Sequence, residues 1–571
     1  MAETLISPGV LALENDNSFV SSQPVTVGAA IIGPTVKGPV EIPTIVTSYS
    51  EYQNKFGTTF ISGGQVQSYF TSVAAFNYFN NGGETLLVAR VASGSFTSAT
   101  TALGTGSAIL NSNTSESIVL KTISEGTIMN NTGSANLGTA DNVKWQITNR
   151  DTASGTFSLL IRRGDDTDIN PVILETWTNL SLDPTQPNYV SKTIGNQFQQ
   201  YSSQDNQIEV IGDFPTRSRY VYVSDVLTPT PFYLNNAGIA KAEFTGSIPV
   251  TGSGTFGGAT GDLFYGGGAD YHSNINSTTT APQGISASDY NAMINLLANA
   301  DDYRFNVLVV PGLFASTANL GASQVTAIIN NTQNRGDSIY ISDLVPFGSS
   351  IGDVTTQANA KNTSYAAAYW PWVQTIDPDS AQLVWVPAST MMAGVYAYND
   401  SVSEPWFAPA GINRGGLGNV IRAEKKLTQA NRDTLYSNKV NPIATFPGTG
   451  IVAYGQKTLQ TRASALDRVN VRRLLISLKS YISQVAQNLV FEQNTIATRN
   501  QFLSQVNPYL ESVQQRQGLF AFKVIMDDSN NTADVIDRNQ MVGQIYIQPT
   551  KTAEFIYLDF NILPTGAVFP A

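Results

Sequence analysis

The 571-residue chain has no cysteine. Disulfides, thiol nucleophiles and Cys-ligated zinc are therefore excluded. The absence fits a chain that folds in reducing cytosol. There is one histidine, His272, so no histidine metal cluster can form within one chain, and a Ser–His–Asp triad could use only that residue. His272 sits in the glycine-rich run GGGADYHSN and reads as a surface-loop residue. No apolar run reaches the roughly 20 residues that a bilayer-spanning helix needs. The stretch MAETLISPGV lacks a basic region followed by an apolar core, so a soluble intracellular product is expected, with no membrane insertion. Charge is scarce too, at 13% of residues. No cofactor or metal site is expected.

What is present is turn-rich and apolar. Asn, Ser, Thr and Gly separate short apolar runs, a pattern suited to a β-rich chain. Aromatic residues make up 10%, which argues against disorder. The length predicts three or four domains. Residues 1–24 read as an arm: in SPGVLALENDNS, Val10 and Ala12 face one way and Leu11 and Leu13 the other if the segment is extended. Such an isolated strand must find an edge to pair with. Residues 25–92 and 246–430 alternate strand and helix, as in VGAAIIGP, SYSEYQNKFG, FNVLVVPG and SQVTAIINNTQ. This predicts an α/β core around a partly parallel sheet covered on both faces. Between them, residues 93–245 carry short alternating runs such as SIVLKTI, NVKWQITN and TFSLLIRR. They predict an inserted β-barrel or sandwich. The fold class expected is α+β multidomain, completed by a C-terminal α/β assembly domain over 431–571.

Three motifs invite enzymatic readings. GSGTFG, with Gly252, Gly254 and Gly257, matches the dinucleotide fingerprint as a bare pattern, but no helical period follows to aim an N-terminus at a pyrophosphate. GIVAYGQKT places Gln456 where a phosphate-binding loop needs lysine, and the residues between its glycines prefer a strand. The pairs Asp377/Asp379 and Asp527/Asp528 could hold a hard cation or do acid–base work, yet turn residues flank both. An enzyme is not expected. The alternatives kept open are a nucleotide-binding enzyme on the α/β core and a surface-layer or adhesin protein with a sugar-binding β insert.

The C-terminal third is the most patterned. Val471, Leu474, Leu475, Leu478, Ile482, Val485 and Leu489 recur at gaps of three and four, one stripe on one helix face. A second helix is predicted with Pro508 near its start and Gly518 near its end. Strand-like runs LFAFKVIMD, GQIYIQP and AEFIYLDFNIL follow; in the last, Ile556, Leu558, Phe560 and Ile562 share a face. Charge is asymmetric here. From Arg414 to Lys479 there are twelve Lys and Arg against Glu424, Asp433 and Asp467, a local charge of +9 on a chain of net −11, which leaves −20 elsewhere. Arg468, Arg472 and Lys479, spaced four and seven apart, fall on one helical face. They are candidates for touching an acidic partner, with a solvated helix face as the plain alternative.

Several blocks, in order, resemble contractile-tail sheath proteins of bacteriophages: SPGVLALENDNS, GPTVKGPVEIPTIVTSYSEYQNKFG and NGGETLLVARV, then YWPWVQTIDP, VPASTMMAGVYAYNDS and EPWFAPAGINRGGL, then VNPIATFPGTGIVAYGQKTLQ and DRVNVRRLLISLKSYISQVAQNLVFEQNT. The resemblance skips the inserted domain. It implies a structural subunit that forms a homo-oligomer of stacked hexameric rings around a tail tube protein, with baseplate and tail terminator proteins as further partners and no direct nucleic-acid contact. It implies a place in the virion tail, after assembly in the host cytoplasm. The N-terminal arm (Val10, Leu11, Ala12, Leu13) and the C-terminal arm (Ile556, Leu558, Phe560, Ile562) would add strands to neighbouring subunits. The C-terminal domain would lie against the tube, through Arg468, Arg472 and Lys479. The insert would face outward.

Overall fold

The computed structural model describes residues 27–62, 65–105, 116–132, 138–261 and 282–556. Its organising element is an eight-stranded sheet. Across it the strands lie in the order Thr44–Val46, Leu86–Arg90, Val27–Gly33, Phe305–Phe314, Ile339–Asp343, Ala366–Trp370, Val440–Phe446 and Gly450–Ala453. Every pairing from Leu86–Arg90 to Val440–Phe446 is parallel. The two edge strands run antiparallel.

Period-2 alternation divides the core. Ala29, Ile31, Val307 and Val309 meet the helices Phe70–Asn80 and Ser389–Val402 on one face. Ala30, Ile32, Leu308 and Val310 meet Asn291–Leu296, Ala322–Arg335 and Ile351–Asn359 on the other. Burial on both faces explains why these strands read as unbroken apolar runs. Local signals set the helix ends. The Ser48 hydroxyl accepts from the Glu51 N–H to start Tyr49–Phe56, as Ser, Thr, Asp and Asn caps do. Gly57, at φ 70°, ends that helix where a side chain would be strained.

The insert has a core of its own. One sheet runs Ile173–Ser181, Thr156–Arg163, Val143–Asp151, Gly252–Thr255, and a second Val221–Val226, Glu116–Glu125, Ser98–Gly104. Leu103, Ile118, Leu120, Ile147, Leu159, Ile161 and Phe256 pack together between them. Because Gly252–Thr255 pairs with Val143–Asp151, and the Gly261 carbonyl accepts from Thr127 N–H, the insert runs past the predicted limit of 245. Arg90 pins its root: the buried guanidinium donates to the carbonyls of Gly38 and Glu125.

The boundary predicted at 431 also moves. Val440–Phe446 and Gly450–Ala453 complete the main sheet, so the C-terminal unit begins after them. Gly450–Ala453 is an edge strand, not a phosphate loop. Gly252–Thr255 is likewise a strand, and the described residues 256–261 that follow it form no helix. The described part of the C-terminal unit has the helices Val469–Gln487 and Ile496–Gln515 and a hairpin of Leu519–Ile525 with Gln544–Pro549, with the short helix Ala533–Asp537 between its strands. Pro508 lies inside the second helix, not near its start. Thr495 caps that helix well upstream by accepting from Thr498 N–H. A cap and an interior apolar stripe override the single missing N–H of proline.

Candidate assembly joint

The C-terminal unit is built around two helix stripes. Leu474, Leu478, Val485 and Leu489 face Phe502, Val506, Leu510 and Val513, so the predicted stripe is the buried one. Burying each such side chain contributes roughly 1.5–3 kcal/mol. The Tyr481 and Tyr509 rings stack at 3.8 Å between centroids. The hairpin lays Phe522, Val524, Ile545 and Ile547 on this core and turns Lys523, Tyr546 and Gln548 outward, as period-2 alternation requires. Among the described residues no third strand pairs with either strand of the hairpin. Two strands alone are marginal in water, and an edge strand presents a row of backbone donors and acceptors to pair with; of these, the Phe520 carbonyl accepts from the Gln514 amide at 2.9 Å.

Several contacts join the unit to the core. Trp406 donates its indole N–H to the Arg516 carbonyl at 3.0 Å. Arg516 crosses that ring and pairs with Glu404 at 2.7 Å. Arg473 is buried, pairs with Asp400 and lies over the Tyr396 ring at 4.9 Å. Burial alone would lower the Arg473 pKa, but Asp400 beside it leaves it raised.

The three predicted tube-contact residues do not form one exposed basic face. Arg468 makes a two-pronged ion pair with Glu554, at 2.7 and 3.0 Å. Arg472 is buried, with its guanidinium 4.0 Å from the Tyr365 ring centroid and a hydrogen bond to Ser364. Desolvation lowers its pKa. Lys479 is exposed and reaches the Tyr365 hydroxyl at 3.4 Å. Arg468 stands at the N-cap in an extended conformation rather than on the helix and turns to the C-terminal segment, whereas Arg472 and Lys479 meet the core loop at Ser364–Tyr365. Sequence reasoning missed Glu554, Asp400 and Tyr365. The only available signal was the aromatic residues interspersed with the basic ones.

That signal is general in this segment. Arg414, Arg422, Lys425, Arg432, Lys457, Arg468, Arg472 and Arg473 each lie over an aromatic ring of the same chain, at 4.0–5.9 Å from its centroid. Cation–π contacts of this kind contribute about 0.5–2 kcal/mol each, more when desolvated. Eight of the twelve basic residues are thus held internally.

Of the predicted arm residues, Ile556 is described and is 77% exposed, next to Phe555 at 69%. Residues 551–556 carry no regular structure. Val10, Leu11, Ala12, Leu13, Leu558, Phe560 and Ile562 lie outside the described residues, as does His272. The carboxylate pairs are bound within the protein. Asp377 accepts from Ser68 and Ser380, and Asp379 from Tyr49 and Gln53. Asp527 accepts from Ser529, and Asp528 pairs with Arg499.

Residues 283–459 match the phage tail sheath protein central domain, and residues 461–563 the phage tail sheath C-terminal domain. The tail sheath protein of Vibrio phage KVP40 is 42% identical over 208 residues, 36% of this chain and 31% of that protein. That of Enterobacteria phage T4 is 37% identical over 229 residues, 40% of this chain and 35% of that protein. The match therefore spans about a third of the length of these curated relatives. The crystal structure of a sheath tail protein from Listeria innocua superimposes with a TM-score of 0.55 over 93% of each chain, at 10% identity, a likeness of fold.

Proposed function

The chain belongs to the phage tail sheath family, whose members are structural proteins rather than enzymes, and from that premise we propose that it is the subunit of a contractile sheath. Subunits polymerise as stacked hexameric rings around a tail tube, in a virion tail put together in the host cytoplasm. A trigger at the baseplate shortens the sheath and drives the tube through the host envelope, and a terminator protein closes the far end. The observation that carries this reading is the C-terminal hairpin, neither strand of which pairs with a third strand among the described residues. Backbone bonds to a neighbour's arm would extend it, at about 0.5–1.5 kcal/mol net each. Repetition of such a contact on a non-closing rotation produces a helical stack.

Other features fit. Phe555 and Ile556 leave the hairpin with their side chains in solvent, the start of an apolar stripe that a second copy would cover. The insert, with a hydrophobic core of its own, suits an outward position. Of the three cations predicted to touch the tube, Lys479 is the exposed one, and the tube contact is assigned chiefly to it. No nucleotide enters the cycle, since the work comes from a change in packing between subunits. The test is negative-stain microscopy of the purified full-length chain. Striated tubes are expected; a protein that stays monomeric at high concentration would overturn the proposal.

A further inference from the structure

Glu554 lies in the segment that follows the hairpin, where the chain has no regular structure. Yet its carboxylate is among the most heavily bonded on the surface. Arg468 grips both oxygens, at 2.7 and 3.0 Å. The Tyr436 hydroxyl donates to it at 2.8 Å and the Gln456 amide at 3.0 Å. Gln456 also donates to the Thr552 hydroxyl at 2.6 Å. Lys457 and Arg468 both lie over the Tyr436 ring, so the pocket floor is built and positive. Gln456 is itself 3% exposed. Burial opposes the carboxylate charge, but these donors leave its pKa lowered.

The partners come from three elements. Tyr436 is on the core helix Gln429–Ser437. Gln456 follows the edge strand of the main sheet. Arg468 stands at the N-cap of the helix Val469–Gln487. A helix N-terminus favours an anion, and a bidentate Arg–carboxylate pair fixes direction as well as position. Two residues further on, Ile556 is in solvent.

We infer that Tyr436, Gln456 and Arg468 form a clamp that anchors the root of the C-terminal arm to its own subunit through Glu554. The inference rests on the reading of residues 557–571 as an arm held by a neighbour. An arm under tension between two subunits needs a fixed point at its base; otherwise a pull from the neighbour would peel the hairpin strand Gln544–Pro549 off its partner. The clamp takes that load on the core sheet and on the helix start. Arg468 is therefore a positioning residue for the arm, not a contact to the tube.

The experiment uses the full-length chain, with assembly read by sedimentation and negative-stain microscopy. Glu554→Arg and Arg468→Glu should each stay folded and shorten the tubes several-fold, and the exchanged pair Arg468→Glu/Glu554→Arg, which restores the ion pair but leaves the Tyr436 and Gln456 donors without their acceptor, should recover part of the lost length. Glu554→Gln, which keeps the shape and loses the charge, should give an intermediate length. Wild-type tubes from the single variants would overturn the inference, and so would failure of the exchange to recover any length. Deletion of residues 557–571 separates the two readings. If it leaves the tubes intact, the arm reading falls. If it abolishes tubes while the Glu554 variants assemble normally, the clamp alone falls.

Discussion

Asp400 and Arg473 join the core helix Ser389–Val402 to the C-terminal unit, and their removal should be unequal. The Arg473 side chain is 4% exposed and that of Asp400 33%. Asp400→Ala leaves a guanidinium buried on the Tyr396 ring with no counter-ion. Breaking a buried pair this way costs about 3–5 kcal/mol. Arg473→Met keeps most of the buried stem volume and leaves Asp400 free to rehydrate, so the expected cost is nearer 1–2 kcal/mol. Calorimetric melting of the purified chain reads the difference, since 1 kcal/mol shifts the midpoint of a unit of 150–250 residues by about 2–4 °C. Asp400→Ala should melt several degrees below Arg473→Met. Equal losses, or a larger loss for Arg473→Met, would refute the argument that the stranded charge sets the cost.

Asp343 is buried at the end of a central strand, and its carboxyl is pushed up to about 7 by burial, against the bonds from Ser389. A raised carboxyl pKa means that the native state holds its proton longer than the unfolded chain, so stability should fall as pH rises from about 4 to 7. At about 1.4 kcal/mol per pKa unit the loss is at most about 4 kcal/mol. Asp343→Asn should melt above the wild type at pH 8 and lose that advantage near pH 4; parallel melting curves at both pH values would contradict it. Deletion of Met1–Asn15 should leave a folded, soluble protein that no longer forms long tubes under the microscope, and tubes of normal length would count against the N-terminal arm. Lys479→Glu should spare self-assembly into tubes and weaken loading on the tail tube in a co-sedimentation assay, most visibly at low salt; unchanged loading would remove the tube contact from this helix face.

Much of the fold was legible because it follows from periodicity. Unbroken apolar runs such as FNVLVVPG became central parallel strands, and the stripe from Val471 to Leu489 became the buried face of its helix. Ser48 and Gly57 set the ends of their helix by local chemistry that needs no tertiary context. Boundaries were less legible. Val440–Phe446 follows a helix and precedes a turn in the same way whether it starts a new domain or closes an old sheet; only pairing with Ala366–Trp370 decides. The site was least legible of all. Spacing predicts Arg468, Arg472 and Lys479 on one side of a helix, but Tyr365 and Glu554 are about a hundred residues away in either direction. No local pattern announces that they meet.

The fate of the basic segment bears on how a lattice can be both cohesive and able to move. A local charge of +9 on an acidic chain suggested an acidic partner outside the molecule. Instead most of those cations rest on aromatic rings, and Arg473, Arg468 and Arg516 pair with carboxylates across the seam between core and C-terminal unit or at the root of the arm. Guanidinium groups suit such seams because they stack and fork at once. Among the described residues these strong electrostatic contacts are made within one chain, where they tie the C-terminal unit and the root of the arm to the core. What remains for an outside partner is exposed charge such as Lys479, and exposed ion pairs contribute only about 0–1 kcal/mol each. On the proposed reading this division is what contraction requires. Bodies that rotate must not deform, arms must stay tethered, and the grip on the tube must be weak enough in each subunit to release ring by ring.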